Sequence, residues 1–178
     1  MIDESFHIPV LTEEVIEFLL IKKNGTFLDV TSGFGGHSAA ILEELNGGSL
    51  IATDQDPEAI RFLKSKFKTE ERISIHQARF SELHKLFSAN DFDGILADIG
   101  VSSYQLDTAE RGFSFMKDGP LDMRMNQNIG EDASSWLNNA PEQEISNIIW
   151  KYGEEKKAKR IAKAIVEARR CFKIRTTK

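Results

Sequence analysis

The sequence predicts an α/β fold in which a parallel, doubly wound sheet is followed by a helical subdomain, and three observations carry that prediction. Up to residue 98, four short apolar runs alternate with segments of helical periodicity, the pattern of successive βαβ units. A glycine-rich turn at residues 32–36 joins the first run to the next helix, where open α/β sheets turn most tightly. After Asp98 the alternation stops, and a long loop leads into three helical segments.

Each element follows from its residues. Val10, Leu11, Val15, Phe18 and Leu19 recur at helical spacing and predict an opening helix, with Glu14 as the exception on that stripe. Residues 26–31 (TFLDVT) read as a short buried strand, the glycine turn follows, and residues 37–45 read as a helix. Residues 49–54 (SLIATD) form the second strand. Asp56 and Pro57 then supply the N-cap and first-turn proline of a helix whose buried face holds Ala59, Ile60, Leu63 and Phe67. A third strand at 73–76, a helix at 81–87 and a fourth strand at 94–98 complete the alternation. Residues 99–131, rich in Gly, Ser and Asp, read as loop; helices are predicted at 132–139, 141–151 and 154–171, punctuated by Pro141 and Gly153. Four strands leave the last at an open edge, an exposed liability, so the sheet is expected to be incomplete in this chain or covered there.

The chain's 178 residues suit one domain with a small insertion, and 40% hydrophobic with 29% charged residues is an ordinary globular balance. No apolar run approaches the ~18 residues of a membrane helix. The opening MIDESFHIPV carries two acids and no basic stretch, which argues against a signal peptide. Cys171 alone can make neither an internal disulfide nor a cysteine zinc site, so the expected compartment is the cytoplasm and no metal is expected. The net charge of −5 is unevenly spread: residues 151–178 hold 11 Lys or Arg against 3 Glu, a local +8 that leaves −13 for the rest. Such asymmetry points to a polyanion-binding segment, with a merely solvated basic helix as the alternative.

The chemistry concentrates at the strand ends. Asp29, Thr31, Gly33 and Gly35 alternate as an acid followed by small residues, a pattern that fits a methyltransferase loop better than the dinucleotide fingerprint, whose third glycine is Ser38 here. Asp54 ends the second strand, where a carboxylate can accept both hydroxyls of a ribose diol. Because NAD and S-adenosylmethionine share that diol, Asp54 does not choose between them. Asp98 ends the fourth strand on the same carboxyl edge. Phe80, just past the third, can flank a purine or simply fill the core.

Taken together, HIPVL (7–11), GFGGHS (33–38), DQDP (54–57), DIGVSSYQLD (98–107), ERGFSF (110–115), DGPLDMRM (118–125), YGEE (152–155) and RIAKAI (160–165) resemble the ribosomal RNA small-subunit methyltransferase H family, also called MraW. The resemblance covers nearly the whole chain. It implies a class I, Rossmann-like methyltransferase sheet interrupted by an inserted helical domain: residues 1–104 as the N-terminal part of the methyltransferase domain, and 105–178 as an incomplete helical insertion for RNA recognition. It implies an enzyme that transfers a methyl group from S-adenosyl-L-methionine to N4 of a cytidine in the decoding region of 16S ribosomal RNA. The cofactor contacts carried over are Gly35, Gly36, His37, Asp54, Phe80, Asp98 and Gln105. Members of the family continue well beyond residue 178, so this chain is expected to hold most of the cofactor site while being a less active fragment. The expected partner is 16S ribosomal RNA or the small subunit, without a membrane; a homodimer remains open.

Methyl transfer from a sulfonium is an in-line displacement served by positioning and electrostatics. Asp98, Ser102 and Ser103 are the catalytic candidates, as acceptors of the amino proton or walls of the base pocket, and Asp98 can also be a cofactor ligand. The loop at 118–124 either shapes that pocket or only pins the insertion. Methylation at ring carbon 5 needs a cysteine nucleophile; Cys171, in a basic helix, reads instead as a buried structural thiol. His7, His76 and His84 lack metal-ligand spacing and read as structural, whereas the backbone N–H and ring of His37 can both face the cofactor. Lys156, Lys157, Lys159, Arg160, Lys163, Arg169 and Arg170 are expected to hold phosphates around an extruded base, with Lys156, Lys157, Arg160 and Lys163 foremost. Rival readings are a nicotinamide-dependent oxidoreductase, a non-catalytic RNA-binding module, and a methyltransferase of protein or small molecules.

Overall fold

Runs as short as residues 26–29 can bury both faces only inside a sheet covered by helices, and that is where a computed structural model, which describes residues 9–178, places them. The first elements are α1 (Thr12–Leu19), β1 (Thr26–Asp29), α2 (Gly36–Glu44), β2 (Ser49–Asp54), α3 (Pro57–Lys66), β3 (Ile73–Gln77) and β4 (Gly94–Leu96). The four strands are all parallel, in the order β3-β2-β1-β4, with Phe27 opposite Leu50 on one side and Gly94 on the other. Among the described residues β4 pairs only with β1, so it is an edge, with Ile95 47% exposed.

The core of this part is Phe27, Ile41, Leu42, Leu45 and Leu50, with Ile16, Leu19, Ile21, Phe67, Ile73 and Leu96 packed against it. α3 starts as its sequence requires: Asp56 accepts the Glu58 N–H at 2.9 Å, and Pro57 opens the first turn. α1 keeps Leu19 of the expected stripe against the core and replaces Phe18 by Ile16. Ile16 and Leu19 face the core, whereas Phe18 is 81% exposed. The segment expected as a helix at 81–87 is instead a six-residue 3-10 helix, Phe80–Lys85.

The chain divides into two compact units, the first ending at Ser103 and the second running from Tyr104 to Lys178. The expected loop at 99–131 contains a short helix, α4 (Ser103–Asp107), and a 3-10 turn, Ala109–Arg111. α5 (Ala133–Asn139), α6 (Glu142–Gly153) and α7 (Ala158–Cys171) follow, and Ala140, Ile145 and Ala162 form their core with Trp136, Leu137, Ile149, Ile165 and Val166 around it. α6 and α7 pack as a hairpin joined through Glu154, which caps α6 in the left-handed conformation (φ 51°).

Residues 111–125 organise the second unit. Arg111 is 2% exposed, and its guanidinium donates to the carbonyls of Arg124 (3.2 Å) and Met125 (2.7 Å). Gly112 (φ +73°) permits this turn, because a Cβ there would run into the Pro120 carbonyl and the Asp122 amide. Arg124 grips Asp122 at 2.6 Å, and Leu121 N–H donates to the Arg175 carbonyl at 2.9 Å, tying the loop to the end of the chain. These described bonds of the 118–124 loop all stay within its own unit.

Candidate functional site

In the order β3-β2-β1-β4 the chain moves from β1 out to β3 and then returns to the opposite side of β1. The strand order therefore reverses between β1 and β4, and open α/β sheets bind ligands outside the carboxyl ends at such a switch point. The segments emerging there are the glycine turn after β1 and the Asp98 segment after β4. They are stitched together, since Asp98 N–H donates to Thr31 Oγ1 at 2.7 Å. Asp98 lies two residues beyond the strand that was expected to end on it, and its side chain is 57% exposed on this rim.

The glycine turn is held from both directions. Gly33 N–H donates to Asp54 Oδ2 at 2.8 Å, and Asp56 N–H donates to Asp54 Oδ1 at 2.8 Å. The Gln55 backbone also bonds this carboxylate; a carboxylate offers about four acceptor positions, so these backbone donors do not saturate it and its outer edge can still accept from a ribose hydroxyl. Burial pushes the Asp54 carboxyl above its ordinary range, and the bonds from Asp56 and Gly33 work against that rise. On the other side Lys66 Nζ, at the end of α3, donates to the carbonyls of Phe34 (3.3 Å) and Gly35 (3.1 Å). Gly35 (φ +74°) sits so close to α3 that a Cβ would lie 2.8 Å from both Leu63 and Phe67.

Asp29 proves to be a strut rather than a rim ligand. It is 1% exposed, accepts the Ser38 hydroxyl at 2.7 Å and the Thr31 N–H at 3.2 Å, and so fastens α2 to β1. Burial raises its pKa, against the lowering effect of the Ser38 bond. α2 then begins at Gly36, and its first internal bond is Ala39 N–H to the Gly35 carbonyl. The first-turn amides of Gly36, His37 and Ser38 precede that bond, so the positive end of the helix opens at the glycine turn. The His37 ring is 8% exposed. Its Nε2 lies 2.9 Å from the Val10 carbonyl, an acceptor only, so that nitrogen carries its proton there; Nδ1 lies 3.8 Å from Asp98 Oδ2.

The other predicted residues are placed as follows. Phe80 is 52% exposed at the start of its 3-10 helix, which removes the core reading. Ser102 and Ser103 are half-buried at the start of α4. Gln105 is buried and belongs to the second unit. Lys156, Lys157, Arg160 and Lys163 are all exposed. Lys159, Arg160, Lys163 and Arg170 share one stripe of α7, with Glu167 3.9 Å from Lys163. Arg169 does not join them: its guanidinium donates to the carbonyls of Leu137 (2.6 Å) and Ala140 (2.7 Å), closing the end of α5. Cys171 is exposed rather than buried, because it lies nine residues after the buried Ala162 and hence on the opposite side of α7. His76 stands edge-on to Phe87 at 5.6 Å, His84 is exposed, and His7 lies outside the described residues. Among the described residues no three His, Cys, Asp or Glu gather as a metal site, and no helix is long and apolar enough to cross a membrane.

Lys66 had no signal in the sequence, since it acts across 31 residues on backbone atoms. Lys66→Met should remove the clamp on the loop carbonyls and keep the side chain's bulk. S-adenosylmethionine affinity in calorimetry is then expected to fall roughly fivefold, with Lys66→Arg near the parent value.

A family model described as the MraW methylase family matches residues 4–178. A relative from Xanthomonas euvesicatoria pv. vesicatoria (strain 85-10), named ribosomal RNA small subunit methyltransferase H, is 51% identical over 92% of this chain and 49% of its own. One of the same name from Xylella fastidiosa (strain M23) is 49% identical over 92% of this chain and 52% of its own. The chain thus spans about half the length of the curated relatives it matches. A crystal structure of P. horikoshii TYW2 in complex with MeSAdo overlaps 85% of this chain and 56% of its own at 18% identity, with a TM-score of 0.42, too loose to bear on the chemistry. Matched by that family's model over all but its first three residues, the chain belongs to the MraW methylase family.

Proposed function

We propose that this chain forms the S-adenosylmethionine-binding part of a cytoplasmic methyltransferase that modifies N4 of a cytidine in the decoding region of 16S ribosomal RNA. Residues 1–104 supply the cofactor-binding sheet, and 105–178 belong to a helical insertion that recognises RNA. The observation that carries the proposal is the rim at the β1/β4 switch point. There Asp54 holds the Gly33 amide while keeping acceptor capacity at its outer edge, beside a Gly33 whose missing side chain leaves only the Thr31 carbonyl within 4 Å. The names of the relatives support the same substrate class.

The residues present fit the cofactor. Asp54 accepts from a ribose hydroxyl, the first-turn amides of Gly36 and His37 face the carboxylate of the amino-acid part, and Phe80 offers an exposed ring to the adenine. When bound, S-adenosylmethionine supplies an electrophilic methyl group on a sulfonium. The remaining task is to free the N4 lone pair, which is delocalised into the pyrimidine ring. The Asp98 carboxylate accepts a hydrogen bond from the amino group, localises that pair and takes the proton released on transfer. Ser102 and Ser103, four and five residues after Asp98 and half-buried, are the proposed walls of the base pocket.

The basic stripe of α7 holds the RNA backbone. Lys156, Lys157 and Arg160 crowd the start of that helix, where the dipole is already positive and cations disfavour the helix. A phosphate partner offsets that cost. Reversing the charge of Lys156, Lys157 and Arg160 should weaken RNA binding and lower the slope of log affinity against log salt by about 2–3. Filter binding at several salt concentrations checks this; an unchanged slope removes these residues from the interface.

The reaction is tested by incubating small subunits with labelled S-adenosylmethionine and mapping the modified nucleotide. Label at N4 of a decoding-region cytidine is expected. Label at a ring carbon or in ribosomal protein overturns the assignment.

A further inference from the structure

We propose that Trp150 and Tyr152, exposed on two sides of the last turn of α6 at the tip of the α6–α7 hairpin, each offer a ring on which an unpaired RNA base stacks beside the hairpin's cations. This rests on the RNA-binding reading of α7 and adds to it the kind of RNA that is taken, a single strand rather than a duplex.

The hairpin puts the last turn of α6 and the first turn of α7 at one end of the second unit, joined by residues 154–157. α6 packs through Ile145, which is 0% exposed, and Ile149. Trp150 follows Ile145 by five residues, which turns it about 140° away from that packed face, and it is 66% exposed. Tyr152 lies about 200° round the helix from Trp150, so it is a separate ring rather than part of the same face; it is 73% exposed, and Lys151 Nζ lies 5.2 Å from its ring centroid, so this ring face already attracts a cation. Among the described residues nothing covers these rings, so they add little to the packing of the hairpin, because burial is what aromatic residues contribute to stability.

Charge selects the occupant. Between residues 150 and 160 there are five Lys or Arg and two Glu, and the carboxylate of Glu155 is taken up by the Lys157 N–H at 2.7 Å. An apolar protein surface has no use for those cations, whereas single-stranded RNA offers phosphates to them and base faces to the rings. A duplex hides its base faces, so it can use only the charges.

The test uses the chain with Trp136→Phe, which leaves Trp150 as the only tryptophan. Titration with a short single-stranded oligoribonucleotide is expected to quench its fluorescence, and the matching duplex is expected not to. Trp150→Ala and Tyr152→Ala should each weaken single-strand binding about tenfold without changing the salt slope. If both variants bind single strands like the parent while the charge-reversed Lys156, Lys157 and Arg160 variant loses affinity, the stacking proposal is overturned and the phosphate stripe stands. If the charge-reversed variant also binds normally, both fail. A dimer that Trp150→Ala abolishes, with RNA affinity unchanged, assigns the ring to protein contact and likewise overturns the proposal.

Discussion

Asp98→Ala is expected to reduce methylation of small-subunit RNA by about 10²–10⁴-fold, the range typical for loss of a positioned proton acceptor. Asp98 stands at the switch point between β1 and β4, its backbone pinned to Thr31 Oγ1 and its carboxylate 57% exposed on the rim. That exposure matters, because a carboxylate engaged inside the fold, as Asp29 is, cannot reach a substrate amine. Asp98→Asn separates the roles. It keeps an oxygen acceptor of the same shape and cannot take up the proton, so the rate at saturating cofactor should fall while cofactor affinity changes little. If Asp98→Ala retains a near-normal rate, Asp98 is neither acceptor nor cofactor ligand.

Asp54→Ala is expected to weaken S-adenosylmethionine binding about 100-fold, the effect of losing a charge-assisted hydrogen bond to the ribose. Loss of the carboxylate also releases the Gly33 and Asp56 amides, which loosens the glycine turn proposed to carry the cofactor. The pH dependence follows from burial, which raises the Asp54 carboxyl above the ordinary carboxylate range. The charged form is the better acceptor, so affinity is full above that raised value and falls as the pH drops through it. The decline should therefore begin at a higher pH than an exposed aspartate would produce. In Asp54→Asn the affinity should be low, and this acid-side decline should be absent. Calorimetric titrations across the acid range read both effects, and a parent-like affinity in Asp54→Ala refutes the ribose role.

Elements governed by local pattern were legible in the sequence. The four strands, the Asp56–Pro57 helix start and the α6–α7 pair each follow from periodicity or capping within a few residues. What escaped depends on distance. Phe18 sits on an apolar stripe by spacing, yet Ile16 and Leu19 face the core, because the direction of packing is set by partners elsewhere in the chain. α4 spans five residues, too few to show a period inside a polar loop. Arg169 looked like another phosphate ligand, since charge counting cannot see that its guanidinium closes the end of α5. Cys171 failed for a related reason: its hydrophobic type suggested burial, while its angular position on α7 places it in water. Of the site, Gly35, Asp54 and Asp98 were readable as types at strand ends; Lys66, Thr31 and the Val10 carbonyl act through contacts that only the fold creates.

Calorimetric titration of this chain with S-adenosylmethionine and, separately, with NAD tests the central claim most directly. The sheet rim should bind S-adenosylmethionine at one site that Asp54→Ala weakens, and it should give no comparable signal with NAD. Binding of NAD in preference, or S-adenosylmethionine binding that Asp54→Ala leaves intact, would contradict the account.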